Sequence, residues 1–303
     1  MPAYKYDPST DIPSLSSKVF LVTGGTAGLG METVLQLAKH DPARIIFTGR
    51  NVSAADKTIS AAKKVNPGLD IVFMPCDFTS LDSVYAIGKE VLKQNLRLDV
   101  LLCNAGVMAV PAAVTKDNYE IQFGINHIAH ALLMKVLLPL LQRTASLPNT
   151  SVRIVSNTSL GFAGSKGIHL DKINAPGASS FIGRWFRYSD AKLANILYAQ
   201  QLAKHYPEIT SVAIHPGVII TGLVSSLPLF DRIFVFLTTW WQQIDESDGV
   251  KNQLWAATAG DGVANGAFYE PVGVIGRTTK ASLDVKGAEK LWDWTEKELA
   301  RFE

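Results

Sequence analysis

The chain has 303 residues, of which 47% are hydrophobic and 18% charged, which is typical of a globular protein with a large core and not of a disordered one. The formal net charge of +2 is too small to indicate nucleic acid or an anionic membrane as a partner. Cys76 and Cys103 lie inside apolar, strand-like runs, which indicates buried thiols in a reducing compartment and not a disulfide framework.

The start of the chain carries no pattern of a targeting signal. Residues 1–17 are polar and rich in proline and serine, and they lack the apolar stretch of a signal peptide. The longest apolar run, residues 233–241, is too short to span a bilayer. We therefore expect a cytoplasmic protein without an integral membrane segment, in which residues 1–17 form an N-terminal extension.

A short strand is predicted at residues 18–22, and a glycine-rich turn and a helical pattern follow it directly. Glycines let the backbone approach a pyrophosphate, and the helix N-terminus offers free N–H groups and a positive dipole. The glycine spacing is wider than in the usual dinucleotide fingerprint, and a glycine turn without a ligand is the alternative. The residues predicted to bind the cofactor here are Gly24, Thr26, Gly28, Leu29 and Gly30.

The second predicted strand, residues 44–48, ends in Gly49-Arg50-Asn51. In a dinucleotide fold this strand end faces the adenosine ribose, where an acidic residue would accept from the 2′-hydroxyl of NAD. Arg50 instead offers a fork of donors to a 2′-phosphate. This pattern favours NADPH over NADH, unless Arg50 is only a solvated surface residue.

Two further strand ends carry candidate cofactor residues. Asp77 follows the strand at residues 71–74, where it could bind the adenine amine, cap the next helix, or do both. The apolar run at residues 98–103 stops at Asn104, Ala105 and Gly106, whose small size would let a ribose lie against the backbone.

Strands and helices alternate along the chain without an internal repeat or a change in composition. This order predicts the α/β class, with a doubly wound and mainly parallel sheet that has helices on both faces. We expect residues 1–303 to form one domain.

A long helix is predicted at residues 119–141, and it carries Asn126, His127 and His130. A buried asparagine needs partners for its amide, whereas the histidines are expected to lie behind the site or on the surface. No acidic or cysteine partner accompanies the histidines, so no metal site is expected. The strand at residues 152–155 then ends in a polar cluster, Ser156-Asn157-Thr158-Ser159, at the edge where ligands bind in open sheets.

Tyr188 and Lys192 are four residues apart at the start of an apolar helical pattern, so they share one face of a helix. A phenol has an ordinary pKa of about 10. A neighbouring ammonium group favours the phenolate, so we expect Lys192 to lower the pKa of Tyr188 towards neutrality.

Taken in order, these features resemble the short-chain dehydrogenase/reductase family over about residues 18–223. The matching elements are Thr23-Gly24 to Gly30, Asn104-Ala105-Gly106, Asn126, Ser159, Tyr188 with Lys192, and Pro216-Gly217 with Thr221. A lengthened segment before Tyr188 and the run Asn126-His127-Ile128-Ala129-His130 resemble the branch of retinol dehydrogenases, WW-domain oxidoreductases and protochlorophyllide reductases.

The resemblance implies roles for these residues. Tyr188 would be the general acid/base, Lys192 would bind the nicotinamide ribose, and Ser159 would bind the substrate oxygen, with Ser156 as the alternative serine. Asn126 would hold a water that links Lys192 to solvent. Cofactor contacts would continue through Pro216, Gly217, Val218 and Thr221.

An apolar and aromatic segment at residues 223–245 is interpreted as a lid over the substrate, or else as a helix packed on the core or on another subunit of a possible homodimer. Trp185 and Phe186 could line the same pocket. The hypothesis is an NADPH-dependent oxidoreductase of a hydrophobic ketone, aldehyde or secondary alcohol. The alternatives are reduction of an activated C=C bond and a catalytically idle NADP-binding sensor or partner module.

Overall fold

A computed structural model of the chain describes residues 5–176, 180–219, 231–232, 236 and 243–302. The predicted alternation of strands and helices is confirmed in this part of the chain. The strands are β1 (Val19–Val22), β2 (Arg44–Gly49), β3 (Ile71–Pro75), β4 (Val100–Cys103), β5 (Arg153–Asn157), β6 (Thr210–Ile214), β7 (Val218–Ile219), β8 (Gln243–Ile244) and β9 (Phe268–Tyr269).

Within the described residues, seven parallel strands form one sheet in the order β3-β2-β1-β4-β5-β6-β9, and β7 pairs with β8 separately. Strands β1, β4 and β5 are buried on both faces, as expected of parallel strands covered by helices on each side. The strand order reverses between β1 and β4, and ligands bind outside the carboxyl ends of strands at such a switch point. The doubly wound α/β class predicted from the sequence is confirmed, whereas the single domain stays a prediction.

The helices cover both faces of this sheet and bury two apolar clusters against it. The longest of the described helices contains Tyr188 and Lys192. The helices are α1 (Pro8–Asp11), α2 (Gly28–Ala38), α3 (Val52–Val65), α4 (Leu81–Gln94), α5 (Ile121–Phe123), α6 (Ala129–Ala145), α7 (Phe181–His205), α8 (Glu246–Thr258) and α9 (Val285–Glu298).

Helix α7 begins earlier than the sequence pattern suggested. Its N-cap is Ser180, whose hydroxyl accepts from the Gly183 amide at 3.1 Å, a standard N-terminal cap. Residues 183–187, which belong to the lengthened segment before Tyr188, therefore lie in its first two turns. Tyr188 follows two turns inside the helix, where the backbone is fixed.

The predicted helix at residues 119–141 is interrupted. A π-helical turn, Gly124–Ile128, joins α5 to α6. Such turns are rare and often occur at functional sites. Its residues are all buried, and Asn126 lies at its centre.

The segment Ile121–Ala145, which includes this turn, is long and apolar enough to cross a membrane, but 83% of its most apolar window is buried inside the fold. A buried position of this kind is typical of a core helix.

The N-terminal extension packs onto the core. Tyr6, Ile12 and Leu15 are buried, and the Tyr6 hydroxyl lies 3.2 Å from the hydroxyl of Thr258 at the end of α8. Although residues 1–17 are mostly polar, three of their side chains thus anchor the extension to the core.

Candidate active site

The glycine-rich turn between β1 and α2 forms a cradle for an anion. Gly24 and Gly28 have φ angles of +70° and +51°, which only glycine adopts without strain. A Cβ atom on Gly30 would overlap the carbonyl oxygen of Gly24. Among the described residues no side chain caps the start of α2 at Ala27, so its N–H groups and dipole face the turn. These features fit the pyrophosphate of a dinucleotide.

The cradle opens into a cavity of about 380 Å³ along the carboxyl ends of the strands. Thirteen of the residues predicted to bind the cofactor line this cavity. They are Gly24, Thr26, Gly28, Leu29, Gly30, Arg50, Asp77, Asn104, Ala105, Gly106, Tyr188, Lys192 and Pro216.

Arg50 and Asp77 lie at the end of the cavity that an adenosine would occupy. Arg50 is exposed, so its guanidinium is accessible to a ligand. The Asp77 carboxylate accepts from Lys116 at 2.9 Å and from the backbone amide of Thr79 at 3.0 Å. The expectation that Asp77 caps the following helix is wrong, because Ser80 is the N-cap of α4.

The last predicted cofactor residues follow β6. Gly217 has a φ of +98°, and a Cβ atom there would collide with the side chain of Ile244. The backbone of Val218 belongs to β7. Thr221 lies outside the described residues, as does most of the predicted lid at 223–245.

Tyr188 is buried at the inner end of the cavity, with 5% of its surface exposed. Burial raises the pKa of its phenol to about 12, and a hydrogen bond with the Ser159 hydroxyl acts in the opposite direction. The Ser159 hydroxyl also accepts from the Gly161 amide at 3.1 Å. Ser156, the alternative serine, lies instead in a separate small cavity.

Lys192 is buried one turn further along α7, and its ammonium donates to the carbonyl oxygen of Asn157 at 3.0 Å. Burial lowers the pKa of Lys192 to about 8. The Lys192 nitrogen lies 5.6 Å from the centre of the Tyr188 ring, so it faces the ring as a cation over an aromatic face.

This geometry corrects the expectation for the Tyr188 phenol. We expected a neighbouring ammonium to lower its pKa, but the dominant effect in the described structure is burial, which raises it. A phenol with a pKa of about 12 keeps its proton at neutral pH. It is therefore ready to act as an acid.

Asn126 fixes the loop that follows β4. Its side-chain oxygen accepts from the Val107 amide at 2.8 Å, and its side-chain nitrogen donates to the Val107 carbonyl at 2.9 Å. Both polar atoms of the side chain are thus engaged by the backbone of one residue, Val107. The backbone carbonyl of Asn126 lies in the π-helical turn, 3.3 Å from Nδ1 of His130. That Asn126 holds a water stays a prediction.

His127 and His130 are buried, so their possible surface location is wrong. Burial lowers the pKa of each to about 3, and both rings are neutral near pH 7. They line a cavity of about 10 Å³ with Asn126, Ser156 and Asn195, which is close to the space that one water needs. Among the described residues there is no group of three His, Cys, Asp or Glu side chains that could hold a metal.

Sequence reasoning gave no individual role to three polar residues that hold the site together, although Thr23 and Asn157 lie within the motifs that it named. The Thr23 hydroxyl accepts from the amides of Asn104 and Ala105 at 2.9 Å each. The Asn157 amide donates to Asn104 at 3.0 Å and to Gln253 at 2.7 Å. Gln253 is fully buried in α8, where its amide needs hydrogen-bond partners.

Comparison with known proteins agrees with this geometry. Residues 18–166 match the family model described as short chain dehydrogenase. The chain is 34% identical to the short-chain dehydrogenase/reductase drtF of Aspergillus calidoustus, over 96% of each chain. It is 30% identical to human retinol dehydrogenase 14, over 93% of this chain and 86% of that protein.

A solved structure shares the fold. The RhlG–NADP active-site complex from Pseudomonas aeruginosa superposes with a TM-score of 0.66 at 20% identity, over 84% of this chain and 94% of that one. The full-length similarity to the curated relatives, together with the parallel sheet, glycine cradle and Tyr188–Lys192 pair, shows that this chain belongs to the short-chain dehydrogenase/reductase family of oxidoreductases, in the branch that includes the retinol dehydrogenases.

Proposed function

We propose that this chain is an NADPH-dependent oxidoreductase that interconverts a hydrophobic ketone or aldehyde and the corresponding alcohol. The observation that carries the proposal is the position of Tyr188. Its phenol lies buried at the inner end of the cofactor-sized cavity, with the Ser159 hydroxyl acting to lower its pKa and the Lys192 ammonium against its ring. A proton donor, a hydroxyl and a cation thus converge beside the place where a nicotinamide would lie.

The bound nicotinamide would supply the hydride, and the chain's own residues manage the proton. During reduction the Tyr188 hydroxyl donates its proton to the carbonyl oxygen, whose negative charge develops as the bond order falls. The Ser159 hydroxyl donates to the same oxygen and stabilises that charge. Lys192 stabilises the phenolate left behind, because its buried ammonium lies 5.6 Å from the centre of the ring. In the oxidation direction Tyr188 would have to lose its proton first.

Arg50 supports the preference for NADPH. It is exposed at the cavity wall beside Gly49 and Thr26, where the adenosine ribose of a dinucleotide would lie. A guanidinium binds a phosphate through paired N–H donors. The NADP complex of the RhlG structure, which shares this fold, is compatible with that choice.

A hydrophobic substrate is supported by the surroundings of the phenol. Val107 and Ile125 line the inner part of the cavity with Tyr188. The sequence at 223–245, most of which lies outside the described residues, is apolar and aromatic and follows the last predicted cofactor residue. Binding sites for small molecules are mostly apolar with a few polar groups that fix orientation.

The test is turnover of a panel of hydrophobic carbonyls with NADPH and with NADH, in the wild type and in two variants. Tyr188→Phe removes only the hydroxyl and should lower kcat by about 10²-fold or more. Ser159→Ala should lower kcat by about 10²-fold, as loss of an oxyanion donor does. Ser156→Ala is the matched control, since Ser156 lies outside the main cavity, and should change kcat little. Near-normal turnover by Tyr188→Phe, with NADPH binding intact, would refute the proposed mechanism.

A further inference from the structure

A buried carboxylate anchors the first turns of α7 beside the candidate acid. Asp231 is fully buried, and its two oxygens accept from different neighbours on α7. One oxygen accepts from the Arg184 guanidinium at 2.7 Å, and the other accepts from the Trp185 indole N–H at 3.0 Å. Because the acceptor is charged and desolvated, each bond is stronger than an exposed one. The orientation of the Trp185 ring is therefore fixed.

The fixed indole lies against the reacting residue. The ring centres of Trp185 and Tyr188 are 6.1 Å apart, with an angle of 88° between the ring planes, which is the edge-to-face arrangement that aromatic rings prefer. Trp185 also packs with Met108 on the fully buried Ala109. Met108 and Ala109 follow Val107 in the chain, and Val107 lines the cofactor cavity. The apolar surface thus runs from the cavity past the phenol to the indole.

Trp185 remains partly accessible, and so does Met108. An indole and a thioether side by side, both half-buried, form a surface suited to a flat aromatic group. The neighbouring residue Phe186 is 51% exposed, and neither Trp185 nor Phe186 is among the residues that line the cofactor cavity.

We propose that Trp185 is a specificity-determining residue that binds an aromatic substituent of the carbonyl substrate, and that Asp231 is the positioning residue that holds its indole. This inference rests on the proposed function, because it concerns the substrate of that same site. The aromatic substituent is the part of the substrate that does not react. Its contact with the indole is the same in the ground state and the transition state, so its loss should raise KM and leave kcat nearly unchanged.

The experiment compares an aryl ketone with a small alkyl ketone under NADPH. For Trp185→Ala, kcat/KM for the aryl ketone should fall about tenfold, which corresponds to the loss of one aromatic contact with its buried area. For the alkyl ketone, kcat/KM should change by less than about threefold. Phe186→Ala is the matched control, since it removes the adjacent, exposed aromatic ring, and it should keep the wild-type aryl-to-alkyl ratio.

Two further variants separate the contact from the anchor. Trp185→Phe keeps an aromatic face and should keep most of the aryl preference, even if Trp185→Ala fails to fold. Asp231→Asn loses the charge that holds Arg184 and the indole, and should raise KM for the aryl ketone while kcat with the alkyl ketone stays at the wild-type level. Thermal unfolding and NADPH titration of each variant show whether the fold is intact.

A binding measurement distinguishes this inference from the proposed function. Titration of the aryl ketone into Tyr188→Phe enzyme with NADP⁺ should quench tryptophan fluorescence, and Trp185→Phe in that background should abolish the quenching. The inference would be overturned by an unchanged aryl-to-alkyl ratio in folded Trp185→Ala, or by unchanged quenching in Trp185→Phe. If Tyr188→Phe still lost turnover, the proposed function would stand. Undiminished turnover in Tyr188→Phe would instead overturn the proposed function.

Discussion

Lys192 donates from its ammonium to the carbonyl oxygen of Asn157 at 3.0 Å, which ties α7 to the end of β5. Asn195, one turn further along α7, donates to the same oxygen at 3.1 Å. A carbonyl has two lone pairs, so one peptide group anchors two residues of the helix. This anchor sets the distance between the ammonium and the Tyr188 ring, and with it the electrostatics of the site.

The pH dependence of carbonyl reduction should reflect Lys192 and not Tyr188. The pKa of Tyr188 is raised to about 12 by burial, so the phenol keeps the proton it must donate across the neutral range. The pKa of Lys192 is lowered to about 8 by burial, so its charge is lost above that pH. We expect kcat/KM for reduction to be constant from about pH 6 to 7 and to fall above pH 8, by about tenfold per unit at the limit.

Alcohol oxidation needs the opposite protonation state of Tyr188 and should become faster as the pH rises over the same range. The measurement is a pair of pH–rate profiles, with the thermal stability of the protein recorded at each pH. A reduction rate that stays constant to pH 9.5 would contradict the role given to the Lys192 charge.

Lys192 should also make the free energy of unfolding depend on pH. Its folded pKa of about 8 lies below its ordinary value of 10.5, so between these values the unfolded chain binds more protons than the folded one. The free energy of unfolding should therefore increase with pH above 8, as the cost of the buried charge is relieved. Tyr188 acts in the opposite direction only above about pH 10, because its folded pKa is raised.

The experiment is denaturant unfolding of cofactor-free wild type and Lys192→Met between pH 7 and pH 9.5. The free energy of unfolding of Lys192→Met should not increase with pH over this range. The control is Lys204→Met, which removes a largely exposed ammonium from the same helix and should keep the wild-type slope. If the free energy of unfolding changed with pH in the same way in wild type and Lys192→Met, the pKa of Lys192 would not be lowered in the folded protein.

Local patterns predicted which residues at the strand ends lie together around the cavity. The glycine turn, Arg50, Asp77 and the residues after β4 each follow a strand directly, and the carboxyl ends of parallel strands meet at one edge of the sheet. A residue that directly follows a predicted parallel strand can therefore be placed at this edge from the sequence. The structure accordingly places all of these residues around one cavity.

Contacts between distant parts of the chain could not be predicted. Asp231 meets Trp185 across 46 positions, and the Lys192–Asn157 bond spans 35. The π-helical turn at Gly124–Ile128 does not differ in hydrophobic period from the α-helix around it. The direction of the Tyr188 pKa shift depended on burial by residues from several elements, whereas the sequence showed only the lysine one turn away.

The cofactor preference depends on Arg50. Arg50→Glu replaces a phosphate donor with a repelling charge, so kcat/KM with NADPH should fall by at least about tenfold. The value with NADH should stay the same or rise, because a carboxylate can accept from the ribose hydroxyl. Lys63→Glu makes the same charge change at an exposed position of α3 and should leave the ratio of the two cofactors unaltered. If Arg50→Glu also left this ratio unaltered, another residue would bind the 2′-phosphate.

The glycine cradle makes the sharpest steric prediction. A methyl group at Gly30 would overlap the Gly24 carbonyl oxygen and would lie 2.6 Å from the Asn104 amide nitrogen, so both the turn and the Asn104 contacts must shift. Gly30→Ala should lower the free energy of unfolding by about 1–3 kcal/mol, as overpacking does, and should weaken NADPH binding in a fluorescence titration by more than about tenfold. Gly68→Ala is the control, because the nearest atom to an added Cβ there is 3.9 Å away. Equal NADPH affinity in the two variants would mean that the turn does not hold the cofactor.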